Sequence, residues 1–204
     1  MAEQVQTIPI KIIMVGAMNV GKTSLVTKYA TGKIPNQTKT TKNASYVSKL
    51  KKINSYNFEI KLWDTAGQEK YKSLTKLFTK DAKIAILVYS IDSEESFNSL
   101  DEWLKLVKSS NPDNLILGVA GNKSDLSSDK TINNQRGEEY AKKIGGIFKP
   151  TSALVENSGF EELIDSLFQK YYSTNFNNLD KTNSLSLTIE NSRVKKGGCC
   201  GGGA

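Results

Sequence analysis

Gly16, Gly21, Lys22 and Thr23 stand at the spacing Gly-x4-Gly-Lys-Thr, with Asn19 and Val20 ahead of the second glycine and Ser24 after the threonine. Glycines let main-chain N–H groups turn toward phosphate oxygens where a helix begins. The lysine adds a point charge, and the threonine hydroxyl can ligate Mg2+. The stretch therefore points to a nucleotide phosphate chain. Read alone, it also fits a glycine-rich turn with an incidental lysine.

Three further segments narrow the chemistry. Trp63-Asp64-Thr65-Ala66-Gly67-Gln68-Glu69 follows an alternating stretch, which sets a carboxylate at a strand end where it can hold a metal-bound water. Asn122-Lys123-Ser124-Asp125 follows an apolar run. The Asp125 carboxylate can accept from the N1–H and the exocyclic amine of guanine, donors that adenine lacks. A base without them would leave a buried carboxylate unpaired. Thr151-Ser152-Ala153-Leu154 follows the strand-like residues 147–149, where a main-chain N–H can meet the guanine carbonyl.

Elements of the right kind flank these residues. The apolar runs 12–15, 84–89 and 115–120 have the length and branching of strands buried on both faces. Tyr56, Phe58, Ile60 and Leu62 alternate as in a strand, and Asn54-Ser55 is a plausible turn joining them to a strand from about Ser45 to Ile53. Phe160, Leu163, Ile164, Leu167, Phe168 and Tyr171 form one helical stripe, as do Phe97, Leu100, Leu104 and Val107. A helix is expected over residues 24–30 as well. Strand and helix in alternation, with one hairpin, is the α/β layer pattern with a mostly parallel sheet. Residues 31–44 are polar and too long for a simple connection, which marks a functional loop.

With 204 residues, the chain suits one domain and a tail. No apolar run reaches the roughly 18 residues of a membrane span, and residues 1–15 lack the order of a signal peptide. An intracellular protein is expected. The absence of histidine excludes imidazole-based triads and most zinc enzymes. The net charge of +7 is unevenly spread, because residues 20–83 hold 14 lysines against Glu59, Asp64, Glu69 and Asp81. The spacing of aromatic residues among these lysines is not that of a stacking platform, so nucleic acid is not expected as a partner. From about Ser173 the composition turns to Ser, Asn, Thr and Gly, which cannot fold alone. The only cysteines, Cys199 and Cys200, are adjacent in that tail and read as a modification site.

Four motifs in this order resemble the small GTPases of the Ras superfamily, over residues 8–172. Within it the chain resembles the Rab family, through KYKSLT at 70–75, LVYSID at 87–92 and the closing Cys-Cys. The resemblance implies a P-loop NTPase G domain over residues 1–172, with a mostly parallel six-stranded sheet, one antiparallel edge strand and flanking helices. Residues 173–204 would be a flexible hypervariable tail. It implies a GTP/GDP-cycling switch of vesicular traffic on the cytoplasmic face of endomembranes, exchanging with the cytosol and using GTP/GDP and Mg2+. Gly16, Asn19, Val20, Gly21, Lys22, Thr23, Ser24, Thr41 and Gly67 would serve the phosphates. Thr23, Thr41 and Asp64 would serve the metal, and Gln68 would orient the attacking water. Asn122, Lys123, Asp125, Ser152, Ala153 and Leu154 would serve the base. Tyr46, Trp63 and Phe78 would meet effectors, alongside an exchange factor, a GTPase-activating protein and a prenylation escort or GDI. Cys199 and Cys200 would carry two prenyl chains.

The chain departs from the family pattern in several places. Met18 stands where Ras proteins carry glycine, beside the path of Gln68, and predicts slow hydrolysis. A GTP-loaded adaptor that hardly hydrolyses is the alternative it supports. A P-loop ATPase or nucleotide kinase is a further alternative, against which Asn122 to Asp125 speaks. Ile34 replaces an aromatic residue usual near guanine, which predicts faster nucleotide release. Lys42 and Asn43 replace the usual Ile-Gly after Thr41, and Leu77 to Lys80 only loosely follow the usual aromatic pair. Because both switches fall in the lysine-rich third, an acidic effector surface is expected. Four residues follow Cys200 where a C-a-a-X box allows three, and the tail's net charge is only +2. Two prenyl chains would anchor it without a polybasic patch.

Overall fold

The computed structural model describes residues 7–33, 41, 44–53, 56–65, 72–111, 115–126, 132–156, 159–176, 187–188 and 195–198. Strand β1 (Thr7–Val15) leads into helix α1 (Lys22–Thr31), followed by the antiparallel pair β2 (Ser45–Ile53) and β3 (Tyr56–Asp64). Then come α2 (Lys72–Thr79), β4 (Ile84–Ser90), α3 (Glu94–Asn98), α4 (Leu100–Ser110) and β5 (Ile116–Asn122). Helix α5 (Asn134–Ile144), β6 (Ile147–Pro150) and α6 (Phe160–Phe176) complete the domain.

The sheet order is β6-β5-β4-β1-β3-β2, with β1 parallel to both β3 and β4, and β5 parallel to β4 and β6. Only β2 runs antiparallel within these six strands. The six-stranded, mostly parallel sheet expected from the resemblance is therefore what the chain forms.

Burial explains the central strands. All seven residues of β4 and of β5 are buried, which continuous β-branched and small apolar runs allow and alternating polar residues would not. Along β1, Ile10, Ile12 and Met14 belong to the core beneath α1 and α6, with Leu25, Phe58, Leu163, Leu167 and Phe168. Ile13 and Val15 point the other way, into the core with Leu87, Trp103, Val107 and Ala141 of β4, α4 and α5. The pleat thus divides one strand between two hydrophobic layers. Strand β3 alternates between buried and half-buried residues, as its sequence requires of a strand near the edge.

Three details differ from the sequence expectation. The stripe from Phe97 to Val107 is split between α3 and α4 at Ser99, after a helix start capped by the Ser93 side chain on Ser96 N. Helix α6 runs on to Phe176, whose ring stacks 5.5 Å from Tyr172, so the expected boundary after residue 172 falls inside a helix. Two short tail segments, β7 (Leu187–Thr188) and β8 (Lys195–Gly198), pair antiparallel with the outer edge of β2. The expected turn at Asn54-Ser55 lies outside the described residues.

Candidate functional site

In an open parallel sheet, ligands bind at the carboxyl ends of the strands, where the strand order reverses. Here β1 lies between β3 and β4, so the chain leaves β1 at such a switch point. The segments singled out in the sequence follow the carboxyl ends of β1, β3, β5 and β6, all on that one side. The topology itself therefore brings residues 16–24, 64–65, 122–125 and 151–154 to one rim.

The first loop is shaped by two glycines. Gly16 has φ 149°, and a Cβ there would sit 2.1 Å from the Val88 carbonyl oxygen. Gly21 has φ 90°, and its Cβ would meet Asn122 Nδ2 at 2.4 Å. Asn19 also holds a left-handed φ of 65°, a conformation that asparagine tolerates better than most residues. Helix α1 starts immediately after Gly21, with no side-chain cap on its first N–H groups. Uncapped N–H groups at a helix start suit an anion. Lys22 is buried, and its Nζ donates to the carbonyls of Gly16 and Ala17, each at 2.8 Å. The loop therefore fixes its own cation across its mouth. Ser24 is half-buried in the first turn of α1.

Beside it, Thr23 Oγ1 and Thr41 Oγ1 lie 2.5 Å apart, and Thr41 Oγ1 donates to Asp64 Oδ2 at 3.4 Å. Asp64 is 2% exposed, and its Oδ1 has no hydrogen-bond partner among the described residues. Burial pushes the Asp64 carboxyl above the ordinary aspartate range; the Thr23 hydroxyl, the Lys22 ammonium, the Thr41 hydroxyl and the Thr65 backbone pull it back without cancelling that push. An orphaned buried carboxylate oxygen beside two hydroxyls is a set of hard oxygen donors that suits Mg2+. Thr65 Oγ1 donates to the Met14 carbonyl at 2.7 Å and so fastens the end of β3 to β1.

The far side of the rim forms a second group. Asn122 Nδ2 donates to the Val20 carbonyl at 2.6 Å, and Thr151 Oγ1 donates to Asn122 Oδ1 at 3.2 Å. One buried amide thus ties the first loop to the ends of β5 and β6. Ser152 Oγ donates to Asp125 Oδ1, while Leu154 N donates to Ser152 Oγ at 3.0 Å. Ala153 is buried and Leu154 exposed. Lys123, with φ 62°, sends its Nζ to Asp92 Oδ2 at 3.3 Å.

Tyr46 and Trp63, cross-strand partners in β2 and β3, stack with ring centroids 4.8 Å apart, and Phe78 of α2 stacks on Trp63 at 6.0 Å. The three aromatic residues expected to act together form one column. Met18 is 44% exposed on the first loop. Gly67, Gln68, Ile34, Lys42, Asn43, Cys199 and Cys200 lie outside the described residues. The sequence reading passed over Thr65, Thr151 and Asp92. All three lie within segments it had singled out, Asp92 as the last residue of LVYSID at 87–92, but it gave none of them a role.

A Ras family model matches residues 11–173. Ras-related protein Rab-21 of Bos taurus is 35% identical over 169 residues, which span 83% of this chain and 76% of that relative. Ras-related protein Rab-11B of Dictyostelium discoideum is 34% identical over 192 residues, 93% of this chain and 86% of the relative. Ras-related protein Rab-5A of the same organism is 30% identical over 191 residues, 93% and 94% respectively. Proteins of this kind bind guanine nucleotide and work with effectors, exchange factors, activating proteins and GDI on endomembranes and vesicles. The chain therefore belongs to the Ras superfamily of small GTPases and, within it, to the Rab family, the GTP-hydrolysing switches of vesicular traffic.

Proposed function

We propose that the rim described above is a GTP·Mg2+ site. Gly16, Asn19, Val20, Gly21, Lys22, Ser24 and Gly67 would serve the phosphates, and Asn122, Lys123, Asp125, Ser152, Ala153 and Leu154 the guanine. Thr23, Thr41 and Asp64 would hold the Mg2+ and its waters. The convergence of Thr23, Thr41 and Asp64 carries this reading, because it joins three segments separated in sequence around one carboxylate oxygen without a partner among the described residues. When bound, Mg2+ supplies charge neutralisation for the phosphate oxygens. The chain's own part is to hold GTP, to fix the ammonium of Lys22 and to orient the attacking water through Gln68. Loss of the γ-phosphate would release the segment around Thr41 and so change the surface offered to effectors.

Effectors would read that surface through Tyr46, Trp63 and Phe78 with the neighbouring lysines. Residues 173–204 would carry the membrane anchor as two prenyl chains on Cys199 and Cys200, since one chain alone gives only reversible attachment. The location that follows is the cytoplasmic face of endomembranes, in exchange with the cytosol. No helix among the described residues is long and apolar enough to cross a membrane.

The decisive experiment identifies the nucleotide. Protein purified without added nucleotide is denatured, and the released base is separated by chromatography; GDP or GTP is expected. Its displacement should follow added GTP and not ATP. Release of adenine nucleotide, or displacement by ATP at equal concentration, overturns the assignment of Asp125. Intact-mass measurement on protein from its own cells should show two added isoprenoid masses, and free thiols throughout would remove the lipid assignment.

A further inference from the structure

Lys123 is held at both ends, and one end is held by Asp92, the last residue of the LVYSID segment, to which no role has been given so far. Its backbone sits at φ 62°, fixed by Ser124 N donating to Thr151 O at 3.0 Å and Leu126 N donating to Lys123 O at 2.9 Å. Its Nζ reaches Asp92 Oδ2 at 3.3 Å. Asp92 is itself positioned, because Ser90 Oγ donates to its other oxygen, Oδ1. Main-chain bonds lace the turn that carries Asp92 to the site: Ile91 N donates to Asn122 O at 3.0 Å, and Ile132 N donates to Ile91 O at 2.9 Å. The side chains of Lys123 and Asp92 are 34% and 30% exposed, so water screens the pair only in part. Burial opposes ionisation of Asp92, yet the Ser90 hydroxyl and the Lys123 ammonium hold its pKa below the ordinary carboxylate value.

A lysine stem has four rotatable carbons, and ordering it at the moment of binding costs affinity. A stem already fixed at backbone and tip avoids most of that cost. We infer that Asp92 is a positioning residue for the nucleotide site, holding the Lys123 side chain in its binding arrangement and thereby slowing release of guanine nucleotide. The inference rests on the proposed placement of Lys123 beside the base. It adds Ser90, at the end of β4, and Asp92, 31 residues before Lys123 in the chain, as a relay.

The test uses the full chain with Mg2+, loaded with a fluorescent GDP derivative and chased with excess GDP. Asp92→Asn keeps an oxygen that can accept from Ser90 Oγ and removes only the charge. It should speed release by about fivefold, the upper range for partly exposed pairs. Asp92→Glu should restore a rate within about twofold of wild type, because the charge returns on a longer stem. Wild-type release should quicken as salt rises, and Asp92→Asn should lose most of that dependence. In the double variant with Lys123→Met, release should be no faster than in Lys123→Met alone. A purely structural role for Asp92 would leave salt dependence unchanged and make the two effects multiply. An unchanged rate in Asp92→Asn beside fast release in Lys123→Met overturns the inference and leaves the base site standing. An unchanged rate in Lys123→Met overturns both.

Discussion

Thr23 Oγ1 and Thr41 Oγ1 are 2.5 Å apart across 18 residues of chain, and the same Thr41 hydroxyl reaches Asp64. Thr23 belongs to the first turn of α1, a rigid element seated on the sheet. Thr41 itself belongs to no helix or strand, and its hydroxyl meets Thr23 and Asp64. The pair therefore joins a residue fixed by its helix to one held through side-chain contacts.

That asymmetry separates two variants. Thr23→Ala should release GDP and a non-hydrolysable GTP analogue equally fast, at least about tenfold above wild type, since a hydrogen bond to a charged group contributes on the order of 1.5–3 kcal/mol. Its release should also become insensitive to chelation of Mg2+. Thr41→Ala should leave GDP release near wild type and speed only release of the GTP analogue. Stopped-flow fluorescence with both nucleotides, with and without EDTA, distinguishes these patterns. Equal loss of GDP and GTP analogue in Thr41→Ala would show that Thr41 does not sense the γ-phosphate.

Gly21→Ala tests the bond between the first loop and β5. The added Cβ would lie 2.4 Å from Asn122 Nδ2, which donates to Val20 O, and the residue would keep φ 90°. A left-handed alanine costs roughly 1–2 kcal/mol, and an unmet buried amide adds about 1–3 kcal/mol. The midpoint of thermal unfolding should fall by several degrees, and nucleotide affinity should drop with it. Gly32→Ala meets no described residue within 4 Å at the new Cβ, so it should cost only the left-handed strain and leave nucleotide binding unchanged. Equal losses of affinity in the two variants would sink the account of Gly21.

Met18 sits on the same loop, exposed rather than folded into the core. If its side chain obstructs Gln68, single-turnover GTP hydrolysis should be slow in wild type, several-fold faster in Met18→Gly and abolished in Gln68→Leu, since positioning dominates phosphoryl transfer. Unchanged hydrolysis in Met18→Gly would make the protein an ordinary timer switch. Slow hydrolysis in both would instead favour the GTP-loaded adaptor.

Much of this was legible because short-range pattern and burial coincide. Residues 84–89 and 115–120 had to be central strands, since nothing polar interrupts them, and Tyr56 to Leu62 had to lie nearer an edge, since they alternate. The break at Ser99 was not legible, because an apolar stripe continues across it while a serine cap acts through its backbone geometry. The pairing of β7 and β8 with β2 was hidden for a related reason. Main-chain donors make an edge pair whatever the side chains are, so composition carries no signal for it. The site split in the same way. Lys22, Asp64 and Asn122 sit in compact segments with their own chemical logic, whereas Thr65, Thr151 and Asp92 act on residues brought near only by the fold.

Charge around the aromatic column sets the last expectation. Lys11 Nζ lies 4.8 Å from the Trp63 ring centroid and Lys61 Nζ 5.9 Å from that of Tyr46, and the two lysines are register partners across β1 and β3. Glu59 pairs with Lys61 at 3.2 Å, which offsets one of these charges in part. Two ammonium groups beside Tyr46, Trp63 and Phe78 favour a partner that brings carboxylates around an apolar anchor. Complementary charge of this kind acts mainly on association rate. For a partner selective for the GTP form, association should slow as salt rises from about 50 to 300 mM, where the screening length shrinks below about 10 Å. Lys61→Glu should slow it by roughly tenfold at low salt and flatten that dependence. Lys108→Glu, on an exposed position of α4, changes net charge equally and should do much less. Equal effects of the two reversals, in stopped-flow or surface-based kinetics, would assign the salt dependence to net charge instead of to the column's own lysines.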